Sequence, residues 1–395
     1  MLQIIDKCEC TGCHACYNVC PTGSIAMSTD DEGFWYPQID LATCVDCDQC
    51  LKFCPIVHTV SIDNNPIAYA AFHKVDDIRM QSSSGGVFTA FAENVLCKGG
   101  VVFGACFDKS FNVVHDYIES VEDIYRLRGS KYVQSKIGDA YKLVRNFINQ
   151  KRLVLFTGTP CQLSGLKSYL WADSEYLVTQ DIICHGVPSP KVWQKYLDQF
   201  TLKDNIQSVS FRNKDMGWAR FSMKVATIGK QYRRDLTSDN FLKAFLSDLC
   251  LRPSCHHCKF KGLNRESDVT LADFWGVEVL LPDMNDDKGI SLVLINSEKG
   301  HKLFNNVNNS LICKPVDILE ATKYNKAATQ SIPLPEKRQY FFEHLNELPF
   351  DSLVEKCTKE KNITKFRRLV HKIGSKTKKI LFHSTTKRCS RRYKC

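Results

Sequence analysis

Two cysteine runs repeat one spacing. CTGCHACYNVCP, from Cys10 to Pro21, and CVDCDQCLKFCP, from Cys44 to Pro55, both read CxxCxxCxxxCP. Three thiolates on one tight loop can cover one face of an iron–sulfur cubane. The fourth, just before proline, is turned away and serves the neighbouring cluster. The spacing therefore predicts two 4Fe–4S clusters, one held by Cys10, Cys13, Cys16 and Cys54, the other by Cys44, Cys47, Cys50 and Cys20. Such a segment handles electrons one at a time. Zinc is the alternative, but structural zinc sites use CxxC pairs across a longer spacer. Cys8 lies outside the pattern and reads as a spare or structural thiol.

A second set of candidates lies in the body of the chain. LVLFTGTPCQLSGL, 153–166, reads as a buried strand, a turn and a helix. Pro160 suits the first helical position, where its missing N–H would have been unpaired anyway. Cys161 then falls in the first turn, where the helix dipole lowers a thiol pKa and favours the thiolate. The alternative is a small buried residue. Cys184 ends another strand-like run, DIICHG. Cys255 and Cys258 form a CxxC pair in RPSCHHCKF, which is half a metal site. Cys161 and Cys184 are the candidates to complete it as a third cluster. Zinc held with His256 or His257 is the alternative, and Cys250 is a competing ligand.

Anion-binding candidates are weaker. SSSGG, 82–86, opens a helix with two glycines whose N–H groups could meet a phosphate. It could equally be an ordinary helix start. RLRGSKYVQS, 126–135, sets Arg126, Arg128 and Lys131 around a turn, able to neutralise a pyrophosphate or simply solvated. Neither GxGxxG nor GxxxxGK[ST] occurs, which argues against a standard Rossmann NAD site or an ATP-hydrolysing P-loop.

The elements that must position these residues alternate. Strands are expected at 67–74, 101–107, 111–118, 153–157, from 176, at 206–212, 219–227, 268–273 and 290–296. Helices are expected at 87–97, 139–149, 190–203, 239–249, about 316–327 and about 336–347. The fold class is α+β or α/β: a small two-cluster domain followed by a larger mixed-sheet domain. The expected divisions are 1–60, a linker 61–66 ending in proline, 67–150, 151–335, and a helical and basic tail 336–395.

The net charge of +10 is unevenly spread. Residues 359–395 hold 14 Lys/Arg and one acid, Glu360. The body is therefore nearly neutral, which argues against a nucleic-acid-binding body and for an anionic partner of the tail. In 361–382, Ile363, Phe366, Leu369, Val370 and Ile373 recur near helical spacing among lysines and arginines. That pattern suits a basic amphipathic helix on an anionic bilayer, with a solvated tail as the alternative. No apolar run approaches the length of a membrane span and no signal peptide opens the chain. A cytoplasmic protein is expected, with the tail able to hold it at the inner membrane face.

Taken together, SSSGGVFTA (82–90), GSKYVQS (129–135), GTPCQLSGL (158–166), CHGVPS (184–189), LRPSCHHCKFK (251–261) and SDVTLADFWG (267–276) resemble the coenzyme F420 hydrogenase/dehydrogenase beta-subunit family, in the form with a fused two-cluster ferredoxin. The resemblance runs from about residue 5 to about residue 330. It implies a flavin, FAD, lined by Ser83, Ser84, Gly85, Gly86, Gly129, Ser130, Lys131, Gly158, Thr159 and Pro160. It also implies a body cluster on Cys161, Cys184, Cys255 and Cys258. Members exchange electrons between clusters, flavin and a two-electron carrier, so a redox partner protein or ferredoxin and a small carrier or substrate are implied partners. Where the family often has Gly-Asp-Phe-Trp-Gly, this chain has Ala272 before Asp273. An iron–sulfur flavoprotein oxidoreductase is the expected function. The alternatives are a non-catalytic electron-transfer subunit and a zinc-dependent nucleic-acid-binding protein.

Overall fold

Short runs rich in Val, Leu, Ile and Phe become strands buried on both faces, as expected of a parallel sheet covered by helices. The computed structural model describes residues 6–60, 62–200 and 206–358. An N-terminal hairpin pairs β1 (Ile25–Thr29) with β2 (Trp35–Ile39). The next strands are β3 (Ile67–His73), β4 (Val101–Phe107), β5 (Val113–Ile118), β6 (Val154–Thr157) and β7 (Leu177–Ile182). Three more follow: β8 (Ile206–Asn213), β9 (Ser222–Thr227) and β10 (Lys230–Asp235). The last are β11 (Val269–Asp273), β12 (Ser291–Ile295) and β13 (Leu311–Val316).

Eight strands form one sheet in the order β13-β3-β12-β11-β7-β6-β4-β5. Its middle strands β11, β7, β6 and β4 are mutually parallel, and antiparallel pairs flank them. Alternate residues feed two cores. Val102, Leu155 and Val178 pack with the helices Val87–Leu96 and Glu298–Val307. Val101, Phe103, Val154, Phe156 and Leu177 pack with the helices Ala140–Asn149 and Pro160–Leu170 on the other face. A separate antiparallel sheet, β10-β9-β8, packs with the helices Pro190–Leu197, Asn240–Leu246 and Phe350–Thr358 around Trp193, Tyr196 and Phe241.

In open sheets of this kind, sites form beyond the carboxyl ends of the parallel strands. Here β6 leads into the Gly158–Cys161 turn, β7 into Cys184, and β11 ends at Asp273 before Phe274.

The N-terminal module is docked against this body. Arg338 is nearly buried and grips the Glu32 carboxylate with two Nη–H donors, at 2.8 and 2.5 Å. Gly33, at φ +86°, presses on the backbone of Lys191, and a Cβ there would lie 2.3 Å from Lys191 Cβ. Asn18 Nδ2 donates to the Gly138 carbonyl at 2.9 Å. In the linker, Asn64 Nδ2 donates to the carbonyls of Arg265 and Asn296 at 2.9 and 3.2 Å.

Several expected elements are shorter. The helix expected to reach 203 is described only to Leu197, that at 239–249 covers Asn240–Leu246, and the strand at 219–227 starts at Ser222. Of the helix expected at 316–327, Ile318–Thr322 forms, capped by the Asp317 carboxylate and followed by a short 3-10 turn at Lys326–Ala328. The amphipathic helix expected in 361–382 lies outside the described residues.

Candidate metal centre

The thiols gather into three sets. Cys10, Cys13, Cys16 and Cys54 line one cavity with Met27, Pro37 and Ile56. Every pair among those four is close enough for one thiolate to disfavour the other. Cys20, Cys44, Cys47 and Cys50 line a second cavity with Ile25, Ile39 and Val45. Left-handed backbone at His14 (φ 64°) and Asp48 (φ 55°) turns each loop sharply before its short helix, Ala15–Val19 or Gln49–Lys52. Cys20 and Cys54 follow those helices, and each lines the cavity of the other run.

The third set comes from three distant segments. Cys161 follows β6, Cys184 follows β7, and Cys255 and Cys258 flank the end of the 3-10 turn Pro253–His257. Again each thiol lies within electrostatic reach of the other three. A single ion draws its ligands to about 2.3 Å. Among the described residues no three His, Cys, Asp or Glu side chains are placed to hold a single metal ion.

Local bonds hold three of these four cysteines. Thr159 caps the helix Pro160–Leu170 in a capping box with Gln162, which places Cys161 in the first turn. The Thr159 Oγ1 lies 3.2 Å from Cys161 Sγ. The Val187 N–H donates to Cys255 Sγ at 3.5 Å. Lys261 Nζ donates to the Cys184 carbonyl.

The helix-start argument for a lowered Cys161 pKa fails. Burial dominates and pushes the thiol up to about 12, and burial does the same at Cys13, Cys184 and Cys255. The dipole effect is confined to the terminal turn and is smaller than the cost of burying a thiolate. Such thiols become thiolates when a metal replaces the proton. Cys20 is the exception. Burial raises its pKa, but hydrogen bonds from the Thr22 hydroxyl and the backbone of Thr22, Ser24 and Gly23 outweigh it, so it falls below the ordinary value.

The competing ligands Cys250 and His256 stand elsewhere. Cys250 is buried in the apolar core. The His256 ring donates to the Ile332 carbonyl at 3.0 Å. His185 Nε2 meets Asp248 Oδ1 at 2.6 Å. Cys8 is exposed.

The phosphate-candidate loops 82–86 and 129–130 meet beside the start of β12. Ser83 Oγ accepts from the Ser130 N–H at 2.7 Å, joining the two loops. Ser84 Oγ donates to the Ile290 carbonyl at 2.8 Å, and the Gly85 N–H donates to Ser291 Oγ at 3.0 Å. Gly85 is required there, because a Cβ would lie 2.4 Å from the Ala71 carbonyl oxygen. Gly86, at φ +87°, starts the helix Val87–Leu96. A Cβ on Gly129 would meet only Ser83 Oγ among the described residues, at 4.0 Å, whereas one on Gly158 would lie 3.1 Å from Gln162 Oε1 and 3.2 Å from Leu163 Cδ1. Lys131 differs from expectation. Its ammonium donates to the carbonyls of Arg126, Leu127 and Arg128 at 3.0 to 3.2 Å, ending a short helix.

Three groups escaped the sequence reading. His115 Nε2–H donates to the Thr157 carbonyl at 2.9 Å, so its Nδ1 accepts from Ser135 Oγ at 2.8 Å. Ser135 in turn accepts from Gln162 Nε2 at 2.9 Å, which braces the Gly158–Cys161 turn. Arg212 pairs with Asp273 at 2.6 Å, and Trp218 Nε1 donates to the same carboxylate at 3.0 Å. Arg252 stands between two thiol sets. Ser135 and Arg252 lie inside motifs noted above, but a pattern of types does not say which buried polar group braces which loop.

Comparison with known proteins matches three segments of the chain to family profiles. The profile of the 4Fe-4S dicluster domain matches residues 9–57. That of the coenzyme F420 hydrogenase/dehydrogenase beta subunit N-terminal region matches 68–142, and that of its C terminus matches 151–318. An uncharacterized protein of Methanocaldococcus jannaschii is 24% identical over 341 residues, covering 76% of this chain and 87% of its own. An uncharacterized ferredoxin of the same organism is 38% identical over 52 residues, 13% of this chain and 66% of its own. A chain in the structure of the F420-reducing NiFe hydrogenase complex from Methanosarcina barkeri is 17% identical, with a TM-score of 0.48, over 72% of this chain and 93% of that one. The chain belongs to the coenzyme F420 hydrogenase/dehydrogenase beta-subunit family, with a 4Fe-4S dicluster domain at its N terminus.

Proposed function

We propose that the chain is an iron–sulfur flavoprotein oxidoreductase that passes electrons between its N-terminal clusters, a third 4Fe–4S cluster and FAD. The observation that carries this reading is the convergence of Cys161, Cys184, Cys255 and Cys258 beyond the ends of β6 and β7. Four cysteines brought together from segments almost a hundred residues apart suit a bound group better than core packing. When bound, the clusters move single electrons and FAD exchanges them singly or in pairs, which suits a ferredoxin on one side and a small two-electron carrier on the other.

The residues have separable tasks. Cys10, Cys13, Cys16 and Cys54 hold one cluster, and Cys20, Cys44, Cys47 and Cys50 hold the more exposed one, where a redox partner protein docks. Ser83, Ser84, Gly85, Gly86, Gly129, Ser130, Gly158, Thr159 and Pro160 form the flavin rim. Lys131 holds the Gly129 loop in shape through the three carbonyls it binds. The basic residues 359–395 bring the protein to an anionic membrane surface; no helix among the described residues is long and apolar enough to cross one. Flotation with anionic but not neutral liposomes tests that assignment.

Metal, sulfide and flavin analysis of anaerobically purified protein tests the main reading. About twelve irons and bound FAD are expected. Cys161→Ser combined with Cys184→Ser should lower iron to about eight. Unchanged iron in that variant would show the ligand set to be wrong. Intact clusters without any flavin would leave an electron-transfer subunit in place of an oxidoreductase.

A further inference from the structure

Arg252 immediately precedes the turn that carries Cys255, and its side chain is fully buried. Its Nε donates to the Cys10 carbonyl at 2.8 Å, one Nη to the Trp35 carbonyl at 3.0 Å, and the other to Gln134 Oε1 at 3.2 Å. The guanidinium lies 4.2 Å from the centre of the Tyr36 ring. Gly12 leaves it room: a Cβ there would sit 2.9 Å from an Arg252 Nη. All three acceptors are neutral oxygens, and among the described residues no carboxylate pairs with this arginine.

A guanidinium stays charged in a protein, and a buried charge needs an opposite one. On one side Arg252 holds the backbone of the loop that carries Cys10 and Cys13, through the Cys10 carbonyl. On the other are Cys161 and Cys255, whose thiolates its charge favours. The two sets are close by a second observation. A Cβ on Gly165 would lie 3.0 Å from Cys13 Cβ and 3.1 Å from Cys13 Sγ. Gly165 is four residues after Cys161, on the same face of one helix.

We propose that Arg252 is the shared counter-charge of two clusters, that of Cys10, Cys13, Cys16 and Cys54 and that of Cys161, Cys184, Cys255 and Cys258, raising the reduction potential of both. It rests on the reading that the body thiols hold a cluster. One electron leaves one cluster and reduces the other, with no bond made or broken. Each added electron makes a thiolate-bound cluster more negative, and a fixed cation in a medium of low dielectric favours that state. A cation facing both sites shifts both in the same direction, so the step between them stays small.

Redox titration of the full chain, followed by electron paramagnetic resonance with iron and sulfide measured on each sample, tests this. Arg252→Gln should make both clusters about tenfold harder to reduce, a shift of about 59 mV for a one-electron couple. Arg252→Lys keeps the charge and should keep potentials near those of the natural chain. Gln134→Glu keeps the acceptor while setting a carboxylate beside Arg252, and should lower both potentials even if Arg252→Gln fails to retain iron. Natural protein with about eight irons instead of about twelve would remove the body cluster itself. Full iron with unmoved potentials in Arg252→Gln, or in Gln134→Glu where Arg252→Gln does not load, overturns the role of Arg252. A shift at one cluster only overturns its being shared.

Discussion

At the scale of single residues, two positions carry more than their types announce. Gly165 has ordinary helical surroundings, and a glycine inside a helix costs about 1 kcal/mol relative to alanine. Its reason is the Cys13 side chain and the Tyr141 hydroxyl against it, each 3.0 Å from where a Cβ would sit. Gly165→Val is expected to lose about 1–3 kcal/mol to overpacking, read as a lower urea midpoint, and to weaken iron retention at Cys13. His115 is a pH element. It must stay neutral to accept from Ser135, and burial pushes its pKa down from 6.5 to about 4. The unfolded chain takes up that proton as pH falls through 6.5, the folded chain only near 4. Its contribution, about 3 kcal/mol, is thus complete above pH 6.5 and lost as pH falls toward 4. His115→Gln should flatten that limb of the stability profile, measured by denaturant unfolding across the interval; an unchanged limb would mean another group sets it.

At the scale of elements, the helix Pro160–Leu170 does three jobs. Its first turn presents Cys161, its middle touches Cys13, and its Gln162 joins the Ser135–His115 bonds. Its existence was legible from TPCQ, since Thr, Pro and Gln there are helix-start residues. So were β3, β4, β6 and β12, whose apolar runs are continuous. The doubled cysteine run was legible for the same kind of reason: its spacing is local. What stayed hidden is long-range. The run KQYRRD of β10 looks like solvated loop, and becomes a strand by pairing with β9 from Asp235↔Ser222 to Lys230↔Thr227. Lys131 resembles a phosphate ligand in sequence, and only the path of the chain brings three carbonyls to it. Glu32, in an acidic turn, shows no sign of Arg338 some three hundred residues on. Glu32→Ala is expected to cost about 3–5 kcal/mol, because it strands a buried guanidinium. Calorimetry checks it, and a loss under about 1 kcal/mol would mean that solvent reaches Arg338.

At the scale of the whole molecule, burial differs between the two thiol sets of the N-terminal module. Cys47 is exposed and its companions Cys20, Cys44 and Cys50 are partly so, whereas Cys13 is buried between the module and the body. That difference implies an order of damage. Dioxygen and peroxide reach sulfur and iron through solvent, and oxidation follows exposure. In air the outermost cluster should therefore fail before that of Cys13. Timed exposure with iron and resonance signals measured at each interval should show this sequence; simultaneous loss would refute it. A cell meeting a brief pulse of oxygen would hold molecules whose outer cluster is gone and whose inner thiol set is intact. Repair would need only the outer cofactor, rebuilt on a chain that had never unfolded.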